Sequence, residues 1–594
     1  MFRPNNSVRR QLFDACDNGR SRDEIKALLA SITIDQYEVL FRARATLDLT
    51  NDAVYAAVAG DFSKLRFPNP DDDDAAVLGV KVGTIYEEVS CTFVKALRDV
   101  VSDLRGHRNN PLLTLLRGTG SKVALKDSKK LIDTIVKLNE DIGSLPEIRT
   151  ISANIQRTLA RTVGHSYSPG IGINSSLPED IERLLEGLTL KVNDPSDIGY
   201  RGDLFELSLG GANLIYLSLK LLEYESKLSS DRAAHFLLIE EPEAHIHTHI
   251  QKTLFDRSEY KNTQVIFSTH STHISAASRI RSVNVLAKGC NEAHVFHPDA
   301  NLTAGECSRI ERYLDAVRST LLLAKGVILV EGDAELVLVP ALIKTVFGVS
   351  LDDVGVSLIC MSSAVFGNVA AIFHADRIRR RCAIVTDSDE SLITLPLDPA
   401  NDSSTQKQSR SSQKSGRQRK VALEKFAGGN LWIKPLFAKH TFEVDFLHAG
   451  NVDCVTACLS TIYEDDARRA STKAKLQNKD RIESGVEILR LAKKKGKGWF
   501  AILLAEQLEP QSAMIPEYLT EAFAFVVQDT IDDNTLMRII QHRAGLYEWC
   551  KEDSLSNDNV YGHTLDELID AVDTALPADP VRRMLVGIGR LDDE

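Results

Sequence analysis

The residues of this chain best suited to chemistry are acids that end two apolar runs. Gly326-Val327-Ile328-Leu329-Val330 is followed by Glu331 and, one helical turn later, by Glu335; Cys382-Ala383-Ile384-Val385-Thr386 is followed by Asp387 and Asp389. The i, i+4 spacing puts Glu331 and Glu335 on one side of a strand-to-helix turn, and the i, i+2 spacing puts Asp387 and Asp389 on one side of an extended segment. Converging carboxylates repel one another unless divalent cations neutralise them, and hard oxygen ligands of this kind select magnesium or manganese. A metal held there lowers the pKa of water and stabilises charge on a phosphate, which is sufficient for phosphodiester hydrolysis.

A second set lies upstream and suits a nucleotide. The run from Ala234 delivers Glu240 and Glu241 to its end, the pattern in which one acid holds the water shell of magnesium and the next polarises an attacking water. Phe267-Ser268-Thr269-His270 ends another run, and the His270 imidazole is a donor for a γ-phosphate oxygen. Before both, Ser208-Leu209-Gly210-Gly211 opens an apolar helix, so Ser208, Gly210 and Gly211 offer backbone N–H groups and a helix dipole to phosphate.

Both sets need a scaffold that gathers strand ends. Apolar runs separated by helix-like sequence imply open parallel sheets, which place their chemistry at the carboxyl ends of strands. From Asp127 to Arg161 apolar residues recur at helical spacing, with a break near Ser144-Leu145-Pro146, and form a helical arm; His165–Ser176 reads as a loop. Ser403–Lys420 carries six Lys or Arg and no acid. Its low complexity predicts a mobile loop, either a solubilising insertion or a phosphate-contacting flap. Asp71–Asp74 reads as a solvated acidic loop. Arg377, Arg379, Arg380 and Arg381 read either as a solvated face or as lining for a DNA channel.

At 594 residues the chain is too long for one ordinary core, and roughly three to five compact units are expected. With 43% hydrophobic and 26% charged residues, the composition is globular and excludes a disordered, collagen-like or coiled-coil polymer. A net charge of -12 counts against non-specific coating of nucleic acid, though not against a local basic channel. No apolar run is long enough to span a bilayer, and Met1–Asn6 lacks the apolar core of a secretory signal. The nine scattered cysteines suit a reducing compartment, and Cys454 with Cys458 reads as two residues one helical turn apart rather than a zinc pair. A cytoplasmic protein without a membrane partner is expected.

Taken in order, Ser-x-Gly-Gly, strand-Glu-Glu and strand-Ser-Thr-His resemble the signature loop, Walker B strand and switch histidine of ABC-type ATPase heads. The order strand-Glu, helix, strand, helix, strand-Asp-x-Asp resembles the TOPRIM module of topoisomerases, primases and nucleases. The two in one chain are similar to the overcoming-lysogenisation-defect (OLD) family of nucleases, including the Gabija nuclease subunit, over roughly the start of the chain to Leu508. Lys95–Asp99 with Leu104–Leu112 look like the family's segment after the P-loop, Thr441-Phe442-Glu443 like its T-L-E, and Lys497-Gly498-Trp499-Phe500-Ala501 like its K-G-x-F-A. The resemblance implies Glu443 as an additional metal carboxylate and Lys497 as a stabiliser of developing phosphate charge. The Walker A pattern G-x-x-x-x-G-K-[ST] is absent. Arg3–Arg10 looks like G-P-N-N-S-G-K-S with both glycines, the Lys and the hydroxyl replaced, and without its leading strand. A degenerate head, a start inside the domain and chance similarity all fit, and ATP hydrolysis is expected to be weak or absent even if ATP is bound.

The expected fold is α/β: an ABC ATPase-like head over 1–325 with a helical dimerisation insertion at about 120–190, a TOPRIM Rossmann-like parallel sheet over 326–450 with the basic loop 403–420, and a helical region over 451–594 that completes the TOPRIM site. The expected function is a Mg2+- or Mn2+-dependent DNA endonuclease or nickase, in anti-phage defence or DNA processing. Two metals would lie among Glu331, Glu335, Asp387, Asp389 and Glu443. The resemblance also implies a homodimer or higher homo-oligomer through the head, and a helicase-like or other defence partner. Two other readings are a non-catalytic nucleotide- or DNA-sensing scaffold and a primase-type accessory.

Overall fold

The computed structural model describes residues 2–592 except 40–41, 44–50, 73–79, 82–88, 97–109, 121–124, 164–174, 176, 178–187, 189, 195–196, 204–207, 229–231, 233, 254–262, 290–291, 363–364 and 547–563. The loop read at His165–Ser176 falls outside the described residues apart from Ser175, as do Leu97–Asn109 and Asp73–Asp74. The chain divides into two compact units, Met1–Thr269 and His270–Glu594.

In the first unit, β1 (Phe2–Pro4) leads through the N-cap Asn5 into α1 (Asn6–Asp17) and pairs antiparallel with β2 (Tyr37–Val39). This short strand overlaps the segment Arg3–Arg10 and lies outside the unit's parallel sheet. Three parallel strands form the unit's larger sheet, in the order β3 (Val89–Val94), β4 (Ala234–Glu240), β5 (Thr263–Ser268). Every second residue of β4 is buried. Its Leu237 and Ile239 pack with Tyr216 and Leu217 of a long helix, Leu209–Ser226, in one apolar cluster. The arm is two helices, α2 (Leu125–Ser144) and α3 (Pro146–Val163), parted where predicted. Pro146 lacks the N–H that a continuing helix would need and is tolerated in the first turn of the next. The Leu209–Ser226 helix is α4.

The second unit is organised by strands that are apolar on both faces. The strands β6 (Gly326–Val330), β7 (Val356–Cys360), β8 (Cys382–Asp387) and β9 (Ile433–Ala438) form one parallel sheet in the order β7-β6-β8-β9. Side-chain alternation splits them between two cores. Ile328, Val330, Ala383 and Val385 face one cluster; Val327, Leu329, Cys382 and Ile384 face the other. The first cluster includes α5 (Asp333–Phe347) and the C-terminal helices; the second includes Ile280–Ala324, so that stretch shares a core with the sheet. The strand order reverses between β6 and β8, and this is the crevice where open α/β sheets bind their ligands.

The segment Ser403–Lys420 is not a loop. It is most of a helix, α6 (Ser404–Ala427), started by a capping box between Ser403 and Gln406. Gln406, Ser409, Gln413, Gly416, Arg419 and Leu423 recur at three- and four-residue spacing and form the covered face. That face docks by close approach rather than apolarity: a Cβ on Gly416 would lie 2.1 Å from the Ser388 carbonyl oxygen. Nor do the arginines before β8 form a solvated face. Arg377 donates to the Ala300 carbonyl at 3.0 Å, Arg380 donates to the Leu322 carbonyl at 3.3 Å, and Arg381 pairs with Asp529. Arg379 stacks on Phe296.

Helices that matter to the site and its support include α7 (Phe442–His448), α8 (Arg481–Lys495), α9 (Lys497–Ala505), α10 (Glu517–Val527) and α11 (Asp533–Ala544), and a further one spans Pro580–Gly587. A buried ion pair fastens the last: Arg543 Nε donates to Asp579 Oδ2 at 2.8 Å, with side chains 0% and 4% exposed. Asp579 is also that helix's N-cap, accepting from the Val581 amide. Arg543→Ala would leave the carboxylate buried without its cation, and a loss of about 3–5 kcal/mol in urea unfolding is expected. Arg590→Ala, at the exposed pair with Asp533, is expected to cost less than about 1 kcal/mol.

Candidate metal centre and nucleotide site

In the first unit, Glu240 ends β4 and accepts from the Ala96 amide, just past β3, at 3.1 Å. Glu241 follows with φ 42, so the chain turns sharply there. Ser208 is the N-cap of α4, its hydroxyl accepting from the Gly211 amide at 3.2 Å. Gly210 sits against the turn after Glu241: a Cβ there would come within 2.3 Å of the His245 carbonyl oxygen. Asn213 donates to the Ala244 carbonyl beside it. Ser208, Gly210, Gly211, Glu240 and Glu241 are thus gathered at one end of the sheet. Thr269 closes the unit by donating to Glu243 at 2.7 Å, and His270, an exposed residue, begins the next.

In the second unit, parallel strands bring Glu331 and Asp387 to neighbouring ends, and the first turn of α5 adds Glu335. Gly332, the N-cap, would carry a Cβ 3.3 Å from Glu335 Oε2. Helix α7 adds Glu443, which is 1% exposed. Helix α9 begins on Lys497, whose Nζ lies 3.1 Å from Glu443 Oε1. Thr386 donates to Glu331 Oε2 at 2.7 Å. Asp389 departs from the expected extended pairing with Asp387. The strand ends at Asp387, Asp389 takes φ 54, and its carboxylate accepts from Arg419 of α6 at 2.9 Å. The same guanidinium donates to the Asp387 carbonyl at 2.6 Å and stands 3.9 Å from Glu331.

The electrostatics follow from this crowding. Burial pushes the Glu335 carboxyl from its ordinary 4.5 up to about 7, with Glu443 and Glu331 adding repulsion that Lys497 partly offsets. Burial likewise holds Asp387 well above the carboxylate range, reinforced by Glu335, Glu443 and Glu331. Asp389 is raised by burial against the pull of Arg419. For Lys497, lost solvation favours the neutral amine, but Glu443, Asp387 and Glu335 outweigh it and raise its pKa.

Buried polar atoms without a hydrogen-bond partner gather here: Thr441 Oγ1, Tyr518 Oη, Arg419 Nε and Glu443 Oε1, which Lys497 approaches without hydrogen-bond alignment. Among the described residues no three His, Cys, Asp or Glu side chains stand as a closed ligand set; Lys497 and Arg419 hold the carboxylates instead. The donor chemistry nevertheless fits a hard divalent cation: oxygens only, excess negative charge, and an orphaned buried oxygen. Glu331, Glu335, Asp387 and Glu443 would be the residues to hold such a cation, with Asp389 at the margin beside Arg419. The sequence did not single out Thr386, Arg419 or Tyr518. Arg419 was hidden in a uniformly basic run, and Tyr518 of α10, whose hydroxyl feels Asp387, Asp445, Glu335 and Glu443, carries no motif.

The class this defines is a protein that joins an ATPase-type α/β unit to a TOPRIM carboxylate centre. Residues 94–275 match the AAA ATPase domain family, and residues 322–389 match the overcoming lysogenization defect protein-like TOPRIM domain. The chain thus carries an AAA ATPase-type region, an OLD-like TOPRIM domain and a helical C-terminal part. Among solved structures, the C-terminal region of the Burkholderia pseudomallei OLD protein is 21% identical, over 35% of this chain and 99% of that one, with a TM-score of 0.28. The corresponding region of the Xanthomonas campestris pv. campestris OLD protein is 19% identical, over 36% of this chain and 96% of that one, with a TM-score of 0.25. No curated protein matches. Among the described residues no helix is long and apolar enough to cross a membrane.

A carboxyl raised to about 7 in the folded chain favours folding while protonated, and that contribution is lost as pH rises from its ordinary 4.5 through 7. A cation must displace the proton, so its affinity should rise with pH across the same window and level off above it. Thermal melts are expected to show Mn2+ raising Tm more at pH 8 than at pH 5.5. An equal rise at both would contradict the assignment of Glu335 as a ligand.

Proposed function

We propose that this chain is a Mg2+- or Mn2+-dependent DNA endonuclease or nickase of the OLD family, acting in the cytoplasm in anti-phage defence or DNA processing. The observation that carries this reading is the gathering of Glu331, Glu335, Asp387 and Glu443 from four elements onto one sheet edge, with Lys497 among them. Two metals shared by these carboxylates and Asp389 would neutralise the phosphodiester and activate water against it. The chain's own part is to fix the ligands, and to present the Lys497 ammonium to the charge that develops on the phosphate. The catalytic core is residues 326–450, completed by Lys497 from the region 451–594.

Nicking of supercoiled plasmid by the full chain is expected in Mg2+ or Mn2+. Asp387→Ala is expected to lower the rate by roughly 100-fold or more. An absence of nicking under every metal and nucleotide condition would sink the nuclease reading.

The ATPase-type head serves assembly, and its ATP hydrolysis is weak or absent. What supports this is the turn after β1. Arg9, which stands where a Walker A lysine would, is 2% exposed and donates to the Val58 carbonyl. The Asn5 side chain takes the Val8 amide. Assembly as a homodimer or higher oligomer is supported by apolar side chains left open on the arm, among them Leu131 at 50% and Ile151 at 49%. ATP turnover by the purified chain is expected not to exceed that of Glu241→Gln; turnover at a rate normal for an ABC ATPase would contradict it.

A further inference from the structure

Helix α6 carries four of its seven positive charges on one flank. At 3.6 residues per turn, Lys407, Arg410, Lys414 and Arg417 (i, i+3, i+7, i+10) form a single stripe. The opposite flank bears Ser404, Gln408, Ser411, Ser415 and Gln418, and no acid occurs between Ser403 and Leu423. Arg410 is committed, donating to Asp402 at 2.7 Å and to the Pro396 carbonyl at 2.7 Å. Lys407, Lys414 and Arg417 are exposed. Lys414 and Arg417 make no hydrogen bond or ion pair with the described residues.

Like charges in a row along a helix repel, and the fold gains nothing from them there. Glutamine would serve the exposed surface as well. In a chain of net charge -12, a cationic row in which Asp402 answers Arg410 and Lys407 while Lys414 and Arg417 pair with no described residue is a local exception to a field that otherwise repels polyanions.

The stripe is also fixed relative to the metal centre. Arg417 lies between Gly416, which touches the Ser388 backbone, and Arg419, which binds the Asp387 carbonyl and the Asp389 carboxylate, within one turn of helix. From Lys407 to Arg417 the stripe runs about 15 Å. Phosphates of one duplex strand recur about every 3.4 Å along the axis, so it spans about four of them.

We propose that the Lys407–Lys414–Arg417 stripe binds the phosphate backbone of DNA and sets its register over the metal centre. This deepens the nuclease reading and rests on it for the identity of the polyanion. The contacts are to backbone, so the stripe contributes affinity without sequence preference.

The test is fluorescence anisotropy of labelled duplex DNA with the full chain in EDTA, where cleavage does not intervene, over a range of salt concentrations. The triple variant Lys407→Gln, Lys414→Gln, Arg417→Gln is compared with wild type. Its log affinity against log salt should be shallower by about 2–3, and its binding roughly 10- to 100-fold weaker near physiological salt, equally for unrelated sequences. Its melting temperature and Mn2+ affinity should be unchanged. A control variant on the other flank, Ser404→Ala, Ser411→Ala, Ser415→Ala, should bind as wild type does.

An unchanged salt slope in the Gln variant overturns the proposal, as does an equal loss in the Ser-flank variant. Polyglutamate bound as tightly as DNA, and lost in parallel, would assign the stripe to an acidic polypeptide and overturn it too. The outcome is separable from plasmid nicking: a chain that fails to nick yet loses DNA affinity in the Gln variant refutes the nuclease reading and upholds the stripe.

Discussion

Mutual repulsion among buried carboxylates is the constraint on which the second unit depends. Two like charges about 4 Å apart at an effective dielectric near 20 repel by about 4 kcal/mol, and here Glu335, Asp387 and Glu443 share one partly desolvated edge. The fold answers with position and with counter-charge. Strands β6 and β8 are neighbours at the point where the sheet order reverses, so their ends open into a crevice. Lys497 enters from α9 and Arg419 from α6, each beside a different carboxylate. The packing of α9, α6 and α7 onto the sheet is therefore coupled to the charge of the site: any change in that charge is felt by helices drawn from well beyond the strands.

Much of this core was legible in the sequence for a simple reason. Strands of a parallel sheet are covered on both faces, so Gly326–Val330 and Cys382–Thr386 read as unbroken apolar runs, and an acid directly after such a run sits at the functional edge. The break at Pro146 was legible because a proline has one mechanical effect in a helix. Glu443 and Lys497 were reached through resemblance, since neither spacing nor composition links them to Glu331; only the fold brings α7 and α9 to the same edge.

The misread elements share a cause as well. Ser403–Lys420 looked mobile because it has almost no apolar residue, yet a helix needs only a start and a docked face. Its start is the Ser403–Gln406 capping box, and its docked face is built on the missing side chain of Gly416. The arginines before β8 looked solvated because they are charged, yet Arg377 and Arg380 satisfy carbonyls of the preceding stretch and Arg381 reaches Asp529 across a long sequence separation. In both cases composition reports the average environment of a residue type, while tertiary partners far along the chain decide the actual one.

The order in which the centre's parts occur along the chain bears on synthesis. Glu331 and Glu335 leave the ribosome first, Asp387 and Asp389 next, then Arg419 and Glu443, with Lys497 and the helix of Tyr518 after them. A nascent chain that has displayed both acidic strands still lacks the ammonium that sits beside Glu443. The full constellation exists only once synthesis has passed Lys497 and Tyr518, so a product terminated or clipped before them would carry exposed acids but not an assembled centre.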